Sequence, residues 1–99
     1  MKIEFDILFE DALVSILDYI MQDSIEASIS FEEEILSHLD NLTLFPYKYR
    51  QSIYYDDENV RDYIFKGYVI VYMVDLAKDK IVVLDIFKWV DKTITKKEA

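Results

Sequence analysis

VRDYIFKGYVIVYMVDLAKDKIVVLDIFKW, residues Val60 to Trp89, is the stretch that decides the fold. Three apolar runs rich in β-branched and aromatic residues, Tyr63–Phe65, Tyr68–Val74 and Ile81–Phe87, are parted by Lys66-Gly67 and by the polar turn Lys78-Asp79-Lys80. Short runs of this composition with turn residues between them predict a consecutive antiparallel meander. Period two divides them into faces. Tyr68, Ile70, Tyr72 and Val74 oppose Val69, Val71 and Met73, while Val82, Leu84, Ile86 and Lys88 oppose Ile81, Val83, Asp85, Phe87 and Trp89. One face must cover the rest of the domain. The other is then apolar and uncovered in a two-layer arrangement, which marks it as a candidate partner surface.

Upstream the periodicity changes. Ile3, Phe5, Ile7 and Phe9 alternate with Lys2, Glu4, Asp6 and Leu8, the pattern of a half-buried strand. From Glu10 the step becomes helical, through Leu13, Ile16, Leu17 and Ile20. Asp23-Ser24 supplies a break and an N-cap. A second helix follows, its apolar side marked by Ile25, Ile29, Ile35, Leu36, Leu39 and Leu42. It is expected to end near Leu44-Phe45, because Pro46 disfavours helical geometry in the residue before it. Residues 47–59 read as an irregular connection, and either it or the C-terminal tail could fold over the open sheet face. The predicted class is α+β, in the order β-α-α-β-β-β, with the N-terminal helical hairpin packed on one face of an antiparallel sheet. Residues 1–99 are expected to form a single domain, with 91–99 a lysine-rich tail that frays.

Composition narrows the function classes. Hydrophobic residues make up 53% of the chain and aromatics 15%, enough for a packed core. There is no cysteine, so disulfides and thiolate metal sites are excluded; one glycine leaves no Gly-rich phosphate cradle. No apolar run is long enough to span a bilayer and no signal peptide is evident, so a soluble, cytoplasmic protein is expected. Charge is unevenly placed: residues 1–47 hold one base against eleven acids, whereas residues 48–99 hold ten bases against nine. The total of −9 repels phosphate backbones, and direct nucleic-acid binding is not expected.

Chemical constellations are sparse. His38 stands one helical turn from Glu34, but no second histidine and no cysteine exist to complete a metal site. Glu32-Glu33-Glu34 reads as a solvated helix face, and Asp75 with Asp85 as ordinary strand acids rather than a hydrolytic pair. No serine or cysteine nucleophile has a histidine partner at a recognisable spacing. Catalytic residues, metal ligands and cofactors are therefore assigned as none, and the sequence leans away from an enzyme. Tyr47, Tyr49, Tyr54 and Tyr55 are expected to pack against the sheet edge, and Arg61 to anchor the sheet to an acid of the helices.

Asp6-Ile7-Leu8-Phe9, then Ala12, Ile16 and Asp18-Tyr19-Ile20, resemble the opening of the ParE/RelE toxin superfamily in its ParE-like, plasmid-stabilisation branch. The resemblance continues through Ala27, Leu39-x-x-Leu42 and Pro46. It is closest at Val60-Arg61, Tyr68-Val69-Ile70-Val71-Tyr72 and Val82-Val83-Leu84-x-Ile86, and it spans residues 3 to 89. It implies a toxin of a type II toxin–antitoxin system, neutralised by a cognate antitoxin lying as a helix or extended segment across an apolar groove and the sheet edge. Tyr68, Tyr72, Phe87, Lys88 and Trp89 are the expected partner contacts, with Arg61 and Pro46 structural. RelE-like ribonucleases carry an arginine where this chain has Val69 and further bases where it has Lys88-Trp89, and family toxins are commonly basic. ParE-like gyrase inhibitors commonly carry a histidine-arginine ending there too, so Lys88-Trp89 departs from both branches; the lack of converging bases favours a non-catalytic inhibitor of the DNA gyrase type over a messenger endoribonuclease. The alternative is an inactive or repurposed interaction domain, such as a homodimer.

Overall fold

The computed structural model describes residues 1–89, so the expected frayed tail lies outside the described residues. Strand β1 (Lys2–Phe5) leads into helices α1 (Ile7–Met21) and α2 (Ile25–Asp40), then a 3-10 turn at Asn41–Thr43. Strands β2 (Val60–Phe65), β3 (Tyr68–Asp75) and β4 (Lys80–Lys88) follow. The predicted β-α-α-β-β-β order is borne out. The sheet order is β1-β4-β3-β2, with antiparallel β2–β3 and β3–β4 pairs and β1 parallel to β4. The meander is antiparallel as expected, but β1 joins it in parallel, so the sheet is mixed rather than wholly antiparallel.

Asp6 ends β1 earlier than the alternation suggests. Its backbone N–H donates to the Val83 carbonyl at 2.9 Å, as a strand residue, while its carboxylate accepts from Leu8 N–H at 2.9 Å, as a helix cap. Phe9 is therefore helical, and it enters the core one turn before Leu13. The Asp23-Ser24 break holds as expected: Ser24 Oγ accepts from Ala27 N–H at 3.0 Å. Helix α2 stops at Asp40 rather than near Leu44-Phe45, and both of those residues are exposed.

The β2–β3 hairpin turns on Lys66 (φ 49°) and Gly67 (φ 85°), with Phe65 opposite Tyr68. Two successive positive φ values match the right-handed strand twist, the geometry favoured in two-residue hairpins. Glycine adopts it freely; Lys66 does so at some cost, and its Nζ is tied to Glu34 at 2.5 Å.

A bulge in β4 revises the face assignment. Val71 pairs with Asp85 but Tyr72 pairs with Val83, so Leu84 is the extra residue and the alternation reverses there. Ile81, Val83 and Ile86 thereby all face the helices, beside Ile70, Tyr72 and Val74, against Phe9, Leu13, Phe31, Ile35 and Leu39. Strict period two places Ile86 on the opposite side. Fully burying each such side chain contributes roughly 1.5–3 kcal/mol, so both helices are held by this one layer.

The other face is not left open. Val60, Val69 and Val71 are buried there, with Tyr54, Ile64, Met73, Leu84 and Phe87 packed around them. The 50–54 segment pairs with the outer edge of β2 through Ser52 N–H to Val60 O at 2.8 Å and Asp62 N–H to Arg50 O at 3.1 Å. Tyr54 then folds over the face, its ring 5.0 Å from Phe87 in a T-shaped contact. The expected uncovered sheet surface is thus largely occupied by the chain's own connection. Among the described residues no helix is long and apolar enough to cross a membrane.

Candidate partner-binding site

The expected contact residues do not form one patch. Tyr72 is fully buried, and its hydroxyl donates to the Pro46 carbonyl at 2.7 Å. Burial pushes its phenol well above the ordinary range, with Arg61 opposing and Tyr49 and Asp62 reinforcing. Tyr72 is therefore corrected from surface contact to core residue, and its hydroxyl ties the Pro46 backbone to the sheet. Tyr68 is half-buried, its ring edge-on to Phe31 at 5.5 Å. Phe87 is half-buried beneath Tyr54 on the opposite face. Lys88, opposite Tyr68, and Trp89 are exposed at the end of the sheet, where Trp89 N–H donates to Gly67 O at 2.7 Å. These four share one sheet end but divide between its two faces.

Arg61 makes no ion pair to a helix acid. Its guanidinium donates to Glu58 O at 2.9 and 3.1 Å and to Tyr49 O at 3.1 Å, and lies 4.8 Å from the Tyr47 ring centroid. It clamps the 47–59 connection instead. The buried ion pair is one residue along: Arg50 Nη2 and Nε lie 3.1 and 3.2 Å from Asp62 Oδ2, which also accepts from Ile53 N–H at 3.1 Å. Sequence reasoning missed this pair because the arginine sits in an irregular segment whose path has no periodic signature.

The remaining candidates separate. His38 Nδ1 is hydrogen-bonded to the Tyr63 hydroxyl while Glu34 holds Lys66, so the helical pair binds protein groups. Among the described residues no three potential ligands gather for a metal. Asp75 caps the β3–β4 turn through Lys78 N–H. Asp85 lies opposite Val71, four positions along β3 from Asp75, or roughly 13 Å.

What the fold does assemble is a groove along the outside of the helical hairpin. Two connected depressions, about 510 and 250 Å³, share Val14, Leu17 and Glu32. The apolar walls include Phe5, Val14, Met21, Ile25, Ile29 and Leu36, all exposed. Its charged lining is Glu10, Asp11, Asp18 and Glu32, all acidic. Ser28 fixes the helix separation at the floor: it is buried, and its hydroxyl donates across to Leu17 O at 2.9 Å. The signal was present in the sequence. The apolar arc of α2 is too wide for one face, and the structure splits it into Phe31, Ile35 and Leu39 inward and Ile25, Ile29 and Leu36 outward.

Comparison with known proteins agrees with this architecture. Residues 3–88 match the family model described as ParE toxin of type II toxin-antitoxin system, parDE. A solved structure titled "Chromosomal ParDE TA system from P. aeruginosa" superposes with a TM-score of 0.75 at 17% identity, covering 91% of this chain and 97% of that one. No curated protein matches the sequence.

Proposed function

Because the chain belongs to the ParE toxin family of type II toxin–antitoxin systems, we propose that it acts in the cytoplasm as a non-catalytic inhibitor of a protein target. That target is of the DNA gyrase type, and a cognate antitoxin holds the chain inactive. The observation that supports a protein target over an RNA one is that cations of the sheet are already engaged by the protein itself. Metal-independent RNA cleavage needs several cationic or acid–base groups converging on one phosphate. Here Lys66 is paired with Glu34, and Arg61 is engaged by the carbonyls of Glu58 and Tyr49. Val69, at the position where the ribonucleases carry arginine, is buried in the apolar cluster that also holds Val60 and Val71. Lys88 and Trp89 face solvent and, with Tyr68, are the groups this reading assigns to the target.

The test is induced expression in a bacterium without the neighbouring gene, followed by a supercoiling assay with purified gyrase. Growth arrest with relaxed or cleaved DNA and intact messenger RNA is expected, and the neighbouring gene product should reverse it. Codon-dependent messenger cleavage abolished by Lys88→Ala would overturn the reading. Absence of arrest would move it to a lapsed toxin or an interaction domain, for which light scattering should then detect a homodimer.

A further inference from the structure

We infer that the free edge of β1 pairs with β1 of a second copy of this chain, antiparallel about a two-fold axis at Ile3, so that one sheet runs across both copies. The inference goes beyond the proposed function and does not depend on whether the chain is toxic.

The backbone leaves this edge open. Strands β1 and β2 end the sheet, and the outer side of β2 is taken by the 50–54 segment, which bridges Gln51 to Arg61. Strand β1 has no such cover among the described residues. Lys2 N–H and Asp6 N–H donate to the carbonyls of Asp79 and Val83. Bonding groups alternate in direction along a strand, so those of Ile3 and Phe5 point outward. The side chains fall on two faces. Ile3 packs against the core and Phe5 stacks on Phe9 at 5.5 Å, both on the helix side, whereas Glu4 binds Lys80 at 2.9 Å on the other. Beside the edge, on the helix side, lies a channel of about 460 Å³ whose apolar walls are Met1, Ile3, Phe5, Leu36 and Leu39. Met1, Phe5 and Leu36 are exposed there.

The charges select the occupant and the register. An antiparallel neighbour must set Ile3 in a hydrogen-bonded pair, because the outward groups belong to Ile3 and Phe5 and not to Lys2 or Glu4. With the axis at Ile3, the Ile3 residues of the two copies exchange N–H···O bonds. Phe5 of each copy then meets Met1 of the other along the channel, and Lys2 lies directly opposite the second copy's Glu4. Moving the axis one residue toward Phe5 sets Glu4 against Glu4, and one residue toward Met1 sets Lys2 against Lys2; both are like-charge pairs. A lone charge on a short edge strand commonly blocks pairing. Here the two signs are mirror-placed about Ile3 and favour a single self-complementary register. Since Lys80 already holds Glu4, the row across the joint reads Lys80, Glu4, Lys2, alternating in sign. Against this, each copy carries −9 and the strand has only 4 residues, so the dimer belongs to the weak class.

Sedimentation equilibrium of the full chain, from about 5 μM to about 1 mM, should show a monomer–dimer equilibrium with a Kd of about 10–100 μM. Lys2→Glu and Glu4→Lys, both at exposed positions, should each weaken it at least about tenfold, like charges having replaced opposite ones on both sides of the axis. An equimolar mixture of the two variants should recover a heterodimer near the parental Kd, because the same register then sets opposite charges face to face. Circular dichroism checks the fold of each variant. In the parent, the Ile3 and Phe5 amides should gain protection from hydrogen exchange as concentration rises. A monomer throughout, a dimer that either single variant leaves intact, a mixture no tighter than its components, or protection gained elsewhere but not at Ile3 and Phe5 would each overturn the inference.

Discussion

Removing Arg50 should destabilise the protein more than removing Asp62, although Asp62 is the more buried partner. The Asp62 side chain is fully buried and that of Arg50 is 40% exposed. In Asp62→Ala the groups left behind are Arg50, which can turn into water, and the N–H of Ile53, a residue that is itself exposed. The loss is then a set of charge-assisted hydrogen bonds, about 2–3 kcal/mol. In Arg50→Ala a buried carboxylate remains with the Ile53 N–H on Oδ2, while Oδ1 has no hydrogen-bond partner. An uncompensated buried charge costs about 3–5 kcal/mol. The double variant strands no charge and should lose only about 3 kcal/mol, well short of the sum of the singles. Urea unfolding followed by tyrosine and tryptophan fluorescence measures all four corners. At about 4–8 °C per kcal/mol for a chain of this size, thermal midpoints should fall by roughly 10–20 °C for the aspartate variant and further for the arginine one. Additive effects, or an Arg50→Ala variant within about 0.5 kcal/mol of the parent, would refute the reasoning.

Above pH 10 the protein should lose stability, and part of that loss belongs to Tyr72. Its folded pKa is raised above the ordinary 10, so its contribution is complete below pH 10 and is lost as pH rises toward the folded value. Tyr72→Phe should flatten that limb while costing about 1–2 kcal/mol at neutral pH for the Pro46 carbonyl left unpaired, as read by urea titrations at several pH values. Tyr55 and Tyr63, also raised chiefly by burial, keep the slope from vanishing. Gly67→Ala meets nothing within 4 Å of the new Cβ; its cost should be the backbone strain at φ +85° alone, about 1 kcal/mol by calorimetry. Val69→Arg, which installs the ribonuclease arginine, should destabilise by at least about 3 kcal/mol and confer no messenger cleavage in an RNA assay, because Val69 is wholly buried.

Much of the fold was legible because its signals are local. Ser24 announces a cap, Lys66-Gly67 a tight hairpin, and the three runs after Val60 their strands. The errors fall where two local rules collide or where a partner lies far off in the chain. Ile7 and Phe9 satisfy both the strand period and the first turn of α1. The Asp6 side chain, by capping Leu8 N–H, decides for the helix. In β4, alternation predicts opposite sides for Val83 and Ile86, and only the pairing with β3 reveals the extra residue at Leu84. Nothing in the β1 sequence distinguishes a neighbour at β4 from one at β2.

Surface function was harder to read than fold because aromatic residues serve both. Tyr68, Tyr72, Phe87 and Trp89 look alike as exposed anchors in a bare strand. The segment from Pro46 to Asn59 is what separates them, through Pro46 over Tyr72 and Tyr54 over Phe87. That connection needs Arg50, Asp62 and Arg61 to hold it, so the bases of the second half serve the fold before they can serve a ligand. The hairpin shows the converse. Its acids satisfy no comparable structural demand, since Glu10, Asp11, Asp18 and Glu32 are all exposed beside apolar residues that are exposed as well.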